Sequence, residues 1–152
     1  MLFVGAFDQD GNATVRVRIN GAGGSVDYTA IVDTGFTGFI ALPMAEIVPL
    51  KLTTNPAAAN IMLGNGEIIA NLVAEATATF GDQTKDVSIV LDETSNDNLV
   101  GTAFLRAFNL AFVFIDTVTV LVDKETALEI VAKWMEAAPP GLPNITPGVH
   151  DE

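Results

Sequence analysis

The sequence predicts a mostly β, single-domain protein with one short internal helix and a C-terminal helix. Short apolar runs of strand length recur over the first 122 residues, with glycine-containing turns between them. Apolar residues at helical spacing occur over residues 102–108 and, as a longer pattern, only near the C-terminus. A chain of 152 residues, 49% of them hydrophobic, suffices for one core and is short for two.

The first half of the chain predicts a hairpin followed by two short elements. Residues 13–19 alternate between apolar and polar side chains, as a half-buried strand does. The glycine-rich turn that begins at Asn20 predicts a hairpin into residues 26–32. A short apolar strand over residues 39–42 and a brief helical turn over residues 44–48 follow.

A second hairpin is predicted around Gly64-Asn65-Gly66. Asn-Gly between two apolar runs is a strong hairpin signal, and here the runs are residues 58–63 and 67–80. A further strand over residues 86–91 and a polar loop over residues 93–98 complete this part.

The last third predicts a helix, two strands and a second helix. A short helix over residues 102–108 precedes strands at residues 109–115 and 117–122, which are apolar enough that at least one is buried on both faces or at an interface. Asp123 or Thr126 caps the terminal helix, which proline stops after Ala138. One face of that helix carries Leu128, Val131, Trp134 and Met135.

Composition excludes several classes of function. Acidic residues outnumber basic ones 19 to 7, and a net charge of −12 repels nucleic-acid phosphates. Without cysteine there is no disulfide scaffold, thiolate metal site or cysteine nucleophile, and we expect a reducing, cytoplasmic location. The single histidine, His150, argues against a Ser-His-Asp triad or a zinc site. Apolar residues 1–7 are too short for a membrane span and lack the basic flank of a signal peptide.

Carboxylate chemistry remains, and Asp33 is its candidate. Asp33 follows the apolar residues Ala30-Ile31-Val32, where a carboxylate is costly unless hydrogen bonds hold it. Gly35 and Gly38 then allow a tight loop whose backbone amides approach the carboxylate. The tripeptide Asp-Thr-Gly by itself favours the simpler interpretation, an ordinary turn.

In its context this segment resembles the active-site loop of the retropepsin-like aspartic peptidases, the bacterial single-domain members in particular. The resemblance rests on three features: Asp33-Thr34-Gly35 after Ile31-Val32, a later glycine-containing hairpin, and Leu99-Val100-Gly101 before a short helix. The resemblance spans residues 13–122 and implies a closed, retropepsin-like β fold. It divides the chain into a peptidase domain, residues 1–124, and a C-terminal helix and tail, residues 125–152.

The resemblance also implies roles for individual residues. Asp33 would be the catalytic aspartate, the Thr34 hydroxyl would bond across to a partner subunit's loop, and Gly35 would let substrate approach the backbone. The residues that would contact substrate are Thr37 of the loop and, at or beside the flap tip, Met62, Leu63, Gly64, Asn65 and Gly66. The residues that would support the loop are Leu99, Val100 and Gly101.

The mechanism implied by the resemblance needs two carboxylates that share one proton, and the chain has one Asp-Thr-Gly. Asp116-Thr117-Val118 lacks the glycine. A second copy of the chain would therefore supply the other Asp33 across a twofold axis. The implied function is a homodimeric aspartic endopeptidase for peptide or protein substrates, with no metal or cofactor.

Two positions depart from the family pattern. Phe36 stands where many relatives carry Ser or Ala, and Ala103 stands where relatives often carry Asp or Asn. These positions favour an alternative, a catalytically impaired dimer of the same fold that binds peptides or serves as a scaffold. A third hypothesis is an unrelated β domain in which Asp-Thr-Gly is an ordinary turn.

Overall fold

A computed structural model describes residues 2–62, 68–92, 95–115 and 118–137. The strands within these ranges are β1 Leu2–Val4, β2 Ala6–Phe7, β3 Ala13–Gly21, β4 Gly24–Val32, β5 Ile40–Pro43, β6 Thr54–Met62, β7 Ile68–Phe80, β8 Gln83–Asp92, β9 Leu99–Val100, β10 Leu110–Ile115 and β11 Val118–Asp123. The helices are a 3₁₀ helix, Met44–Leu50, and two α-helices, α1 Thr102–Ala107 and α2 Lys124–Ala137.

Eight of these strands form one sheet, and the sheet closes on itself. Its order is β2-β3-β4-β9-β5-β8-β7-β6, and β3 also pairs with β7, which joins the two sides into a ring. A side chain fixes the register of this closure, because the Asn20 Nδ2 donates to the hydroxyls of Thr77 and Thr79, both at 3.1 Å. The predicted closed, mostly β fold is confirmed.

The core lies inside this ring and is capped by α1. Phe104 and Phe108 of the α1 segment are almost fully buried and contact Phe80 at the end of β7. The Phe80 and Phe104 rings meet edge to face with centroids 5.6 Å apart. Aromatic pairs in this geometry add to the stabilisation that burial alone provides, so α1 is firmly held against the sheet.

The remaining three strands form a second sheet in the order β1-β11-β10. Val120, Leu121 and Val122 of β11 are all buried, which confirms that one of the two apolar C-terminal strands is covered on both faces. Strands β1 and β2 were not predicted from the sequence. The Thr14 hydroxyl ties β2 to the larger sheet by donating to the Ala6 carbonyl at 2.8 Å.

The predicted helices are present with small shifts of their ends. The predicted turn over residues 44–48 is a 3₁₀ helix, and the Tyr28 hydroxyl donates to the Glu46 carbonyl at 2.6 Å to hold it against β4. Asp123 caps α2, because its Oδ1 accepts a hydrogen bond from the Thr126 amide at 2.8 Å. The alternative cap at Thr126 is therefore wrong.

Candidate active site

Strand β9 separates the two strands that lead into and out of the candidate loop. Val100 pairs in parallel with Val32, the last residue of β4, and antiparallel with Ile40, the first residue of β5. Residues 33–39, which we name the Asp33 loop, must therefore cross over the end of β9. This crossing brings the predicted carboxylate next to a segment 67 positions later in the chain.

Backbone hydrogen bonds fix both ends of the Asp33 loop to this segment. The Asp33 amide donates to the Val100 carbonyl, and the Gly101 amide donates to the Phe39 carbonyl, each at 3.0 Å. Because these bonds continue the pairing of β9 with its two neighbours, the position of the loop is set by the sheet.

The start of α1 holds the middle of the loop. The first amides of an α-helix have no acceptor within the helix, and Gly101 at the N-cap has no side chain to supply one. The Thr102 amide instead donates to the Phe36 carbonyl at 2.9 Å, and the Ala103 amide donates to the Gly38 carbonyl at 3.2 Å. These contacts use backbone atoms, so they do not require an Asp or Asn side chain at position 103.

The Asp33 carboxylate is half-buried at the start of the loop. Its Oδ1 accepts a hydrogen bond from the Gly35 amide at 2.8 Å. The backbone carbonyl of Asp33 accepts one from the Phe36 amide at 3.2 Å. Within the described part of the chain, Oδ2 has no hydrogen-bond partner. One oxygen is thus held by the turn, as Asp side chains commonly are, and the other remains available.

The Phe36 ring packs where two glycines leave room for it. A Cβ on Gly38 would collide with the end of the ring, and a Cβ on Gly101 would lie 2.7 Å from its Cδ1 atom. A Cβ on Gly101 would also collide with the Phe36 and Gly38 carbonyls. The sequence showed Phe36 only as a departure from a family pattern, whereas the structure makes it a packing element of the loop.

Two threonines of the loop are exposed. Neither the Thr34 nor the Thr37 hydroxyl has a hydrogen-bond partner among the described residues. The cross-subunit role of Thr34 and the substrate contact of Thr37 stay predictions.

The predicted flap is described only in its arms. Strands β6 and β7 pair antiparallel up to Met62 opposite Ile68, as expected for a hairpin. The predicted tip residues Leu63, Gly64, Asn65 and Gly66 lie outside the described residues, and so does the side chain of Met62.

Sequence reasoning missed one residue that supports the site. The Asn98 carbonyl accepts from the Ile31 amide at 2.8 Å, and the Asn98 Nδ2 donates to the Thr29 carbonyl at 3.2 Å. Asn98 thereby attaches the chain before β9 to the edge of β4, two residues before Asp33. In the sequence it was one polar residue of a polar loop, and no local pattern distinguished it.

No cluster of three or more His, Cys, Asp or Glu side chains that could hold a metal ion occurs among the described residues. Neither described α-helix has the length and hydrophobicity needed to cross a membrane.

Two solved structures have the same architecture. A retropepsin-like aspartic protease from Rickettsia conorii superposes with a TM-score of 0.57 and 19% identity, over 80% of this chain and 89% of that one. The EIAV protease in complex with the inhibitor HBY-793 gives a TM-score of 0.56 and 15% identity, over 72% of this chain and 99% of that one.

No family model matches the chain, and no curated protein matches it either. The similarity is therefore one of fold, at low sequence identity. It excludes a different β architecture for this chain. The closed sheet, the loop that crosses β9 and the two superpositions together establish that the chain has the retropepsin-like fold.

Proposed function

We propose that this protein is an aspartic endopeptidase that hydrolyses peptide bonds as a homodimer. The observation that carries the proposal is the half-buried Asp33 carboxylate, which is oriented by the Gly35 amide at 2.8 Å on a loop fixed by β9. The two structures of similar fold are both proteases by name. The absence of cysteine leads us to propose a cytoplasmic, reducing location.

The chemistry follows from two such carboxylates facing each other. Two carboxylates a few ångströms apart cannot both ionise cheaply, so the pair retains one proton. The ionised Asp33 takes a proton from a water molecule, whose oxygen forms a bond to the carbonyl carbon of the peptide. The protonated Asp33 donates its proton to the carbonyl oxygen. Collapse of the tetrahedral intermediate breaks the C–N bond. The Asp33 that took the proton from water gives it to the departing amine, and a hydroxyl of the intermediate returns a proton to the other Asp33.

The substrate in this proposal is an extended segment of peptide or protein. A peptide in strand conformation can add backbone hydrogen bonds to β-structure, with side-chain pockets providing selectivity. The β6–β7 hairpin is proposed as the flap over it, with Thr37 on the loop as a further contact. Thr34 is proposed to bond to the second copy's loop, because its hydroxyl is exposed and has no partner among the described residues.

The test is cleavage of a mixed peptide library by the purified wild-type protein and by Asp33→Asn. We expect the variant to lose cleavage and to remain a dimer, because the amide keeps the shape of the carboxylate without its charge. Asp86→Asn, an exposed residue of β8, is the matched control and retains wild-type cleavage. Full activity in Asp33→Asn would exclude the proposal.

The second candidate function is a peptide-binding or scaffold dimer without turnover. The Phe36 side chain, which fills space beside Gly38 and Gly101, is the observation that favours it. Binding of library peptides and of a statine-type transition-state mimic, with no products from the wild-type protein, would support this candidate over the peptidase.

A further inference from the structure

Helix α2 leaves most of its surface uncovered. Thr126 and Ala127 are half-buried, but every side chain from Leu128 to Glu136 is exposed. Six large hydrophobic side chains are exposed among the described residues, and five of them belong to α2. They are Leu128 at 59%, Ile130 at 44%, Val131 at 52%, Trp134 at 57% and Met135 at 51% exposure.

These five side chains form one continuous surface, which we name the α2 stripe. At about 100° per residue, they span roughly 160° of the helix circumference. Four charged side chains, Glu125, Glu129, Lys133 and Glu136, lie on the other side, whereas Lys124 at the start of the helix lies on the side of the stripe. A helix of 14 residues is marginal in water without packing, so a stripe of this width indicates that α2 is covered in the working protein.

A groove of about 390 Å³ lies beside the start of α2, between α1 and β10. Leu105, Leu110, Ala127 and Leu128 contribute its apolar lining. Strand β10 runs along it as the edge of the three-stranded sheet, since β11 is its only pairing partner among the described residues. An apolar edge strand is a surface that proteins usually cover.

The charges around the groove complement those of the helix. Arg106 and Lys124 line the groove, and both are exposed. They are two of the seven basic residues of the chain. Because each copy has a net charge of −12, two copies repel each other unless basic residues lie at their contact. Glu136 lies about 80° around the helix from Leu128, and Glu129 lies next to Glu136 on the same side, so both can pair with these cations.

We propose that two copies of the chain dimerise by reciprocal docking of α2, with the α2 stripe of each copy in the groove of the other. A twofold axis makes the two contacts identical, and each contact joins an apolar stripe with an acidic border to an apolar groove with a basic border. This docking proposal depends on the proposed function in one respect: the proposed peptidase needs a second copy of the chain to complete the aspartate pair.

The first experiment measures the dimer dissociation constant of the full chain by sedimentation equilibrium. Val131→Glu places a charge in the docked stripe and is expected to raise the dissociation constant at least about tenfold. Val48→Glu makes the same change at a side chain that is 72% exposed on the 3₁₀ helix, and it leaves the constant unchanged. Far-UV circular dichroism verifies that both variants fold. A wild-type protein that stays monomeric at all concentrations, or an unaffected Val131→Glu dimer, would overturn the proposal.

The second experiment distinguishes docking between copies from docking within one chain. Arg106→Glu and the double variant Glu129→Arg/Glu136→Arg each weaken the dimer by placing like charges together. In an equal mixture, every contact again joins opposite charges, and dimerisation returns to within about threefold of wild type. Lys85→Glu, the same charge change on β8, does not weaken the dimer. Weak variants without recovery on mixing would mean that residues of the same chain, such as 138–152, cover the groove.

These readouts separate the docking proposal from the peptidase proposal. A dimer that depends on Val131 but cleaves no peptide supports docking and excludes the peptidase. If the protein cleaves peptides and Val131→Glu leaves its dimer dissociation constant unchanged, the docking proposal is excluded and the peptidase proposal is not.

Discussion

The Asp33 amide donates a hydrogen bond to the Val100 carbonyl at 3.0 Å, although the two residues are 67 positions apart. Val100 is fully buried between Val32 and Ile40, so it cannot move without the sheet. The candidate catalytic residue is therefore attached at its backbone to one of the most firmly held positions of the fold, while its side chain reaches the surface. Rigid support of this kind is what positions a reactive group accurately.

Gly101→Ala should weaken the folded state because the new Cβ would collide with the Phe36 and Gly38 carbonyls. We expect a loss of about 1–3 kcal/mol in the free energy of unfolding, measured by urea denaturation. Thr102→Ala is the neighbouring control. This variant removes a long hydrogen bond, 3.5 Å, from the Thr102 hydroxyl to the Phe36 carbonyl. It keeps the hydrogen bond from the Thr102 backbone amide to the same carbonyl, so the loss in unfolding free energy stays below about 1 kcal/mol. Equal losses in the two variants would contradict the steric account.

Gly38→Ala should be destabilising by itself and nearly neutral when Phe36 is shortened. All the close contacts of a Cβ at Gly38 are to the Phe36 ring, which Phe36→Leu removes. In a double-mutant cycle, we expect Gly38→Ala to cost about 1–2 kcal/mol alone and less than about 0.5 kcal/mol beside Phe36→Leu. Gly101→Ala gains no such relief, because backbone carbonyls cause its collision. An additive cycle at Gly38 would show that the ring does not occupy this space.

Asp27 should make folding stability depend on acidic pH. The Arg18 guanidinium donates two hydrogen bonds to its carboxylate, at 2.7 and 3.0 Å, and this lowers the pKa of Asp27 below 3.8, with Arg16 adding to the effect. A carboxyl group whose pKa is lower in the folded state stabilises the protein above its unfolded pKa, and this contribution is lost as the pH falls through the folded pKa.

The unfolding free energies of wild type and Asp27→Asn should therefore differ most near neutral pH and converge below about pH 3.8. The difference is modest because the pair is exposed to solvent. Asp86→Asn, an exposed carboxylate on β8, is the comparison variant. A wild-type advantage over Asp27→Asn that persists unchanged into strong acid would contradict this assignment.

Local pattern was sufficient for the long elements of the fold. The alternation over residues 13–19 and the turn after Asn20 led to the β3–β4 hairpin, and 3/4 spacing led to α1 and α2. These signals come from residues close together in the chain. Strands β1 and β2 escaped prediction because they are three and two residues long, and β1 also pairs with a distant segment, as Leu2 does with Val122.

In the candidate site, too, the residues with a local sequence signal were predictable and the others were not. Asp33 was identifiable because a carboxylate after an apolar strand and before glycine is unusual, and that pattern is local. The insertion of Val100 between β4 and β5, the anchoring role of Asn98 and the packing of Phe36 depend on residues that meet only after folding. The 3/4 pattern of α2 likewise predicted a helix with an apolar face without specifying what covers that face.

The pairing of β3 with β7 also constrains the order in which the protein is assembled on the ribosome. Arg18 pairs with Thr79, and Asn20 pairs with Thr77. This part of the β3 edge therefore stays unpaired until some sixty further residues have been synthesised. Contacts that distant in the chain form late and slowly, because a long loop must be closed first. During synthesis residues 18–20 of β3 consequently present an unpaired strand edge, the kind of surface that chaperones protect.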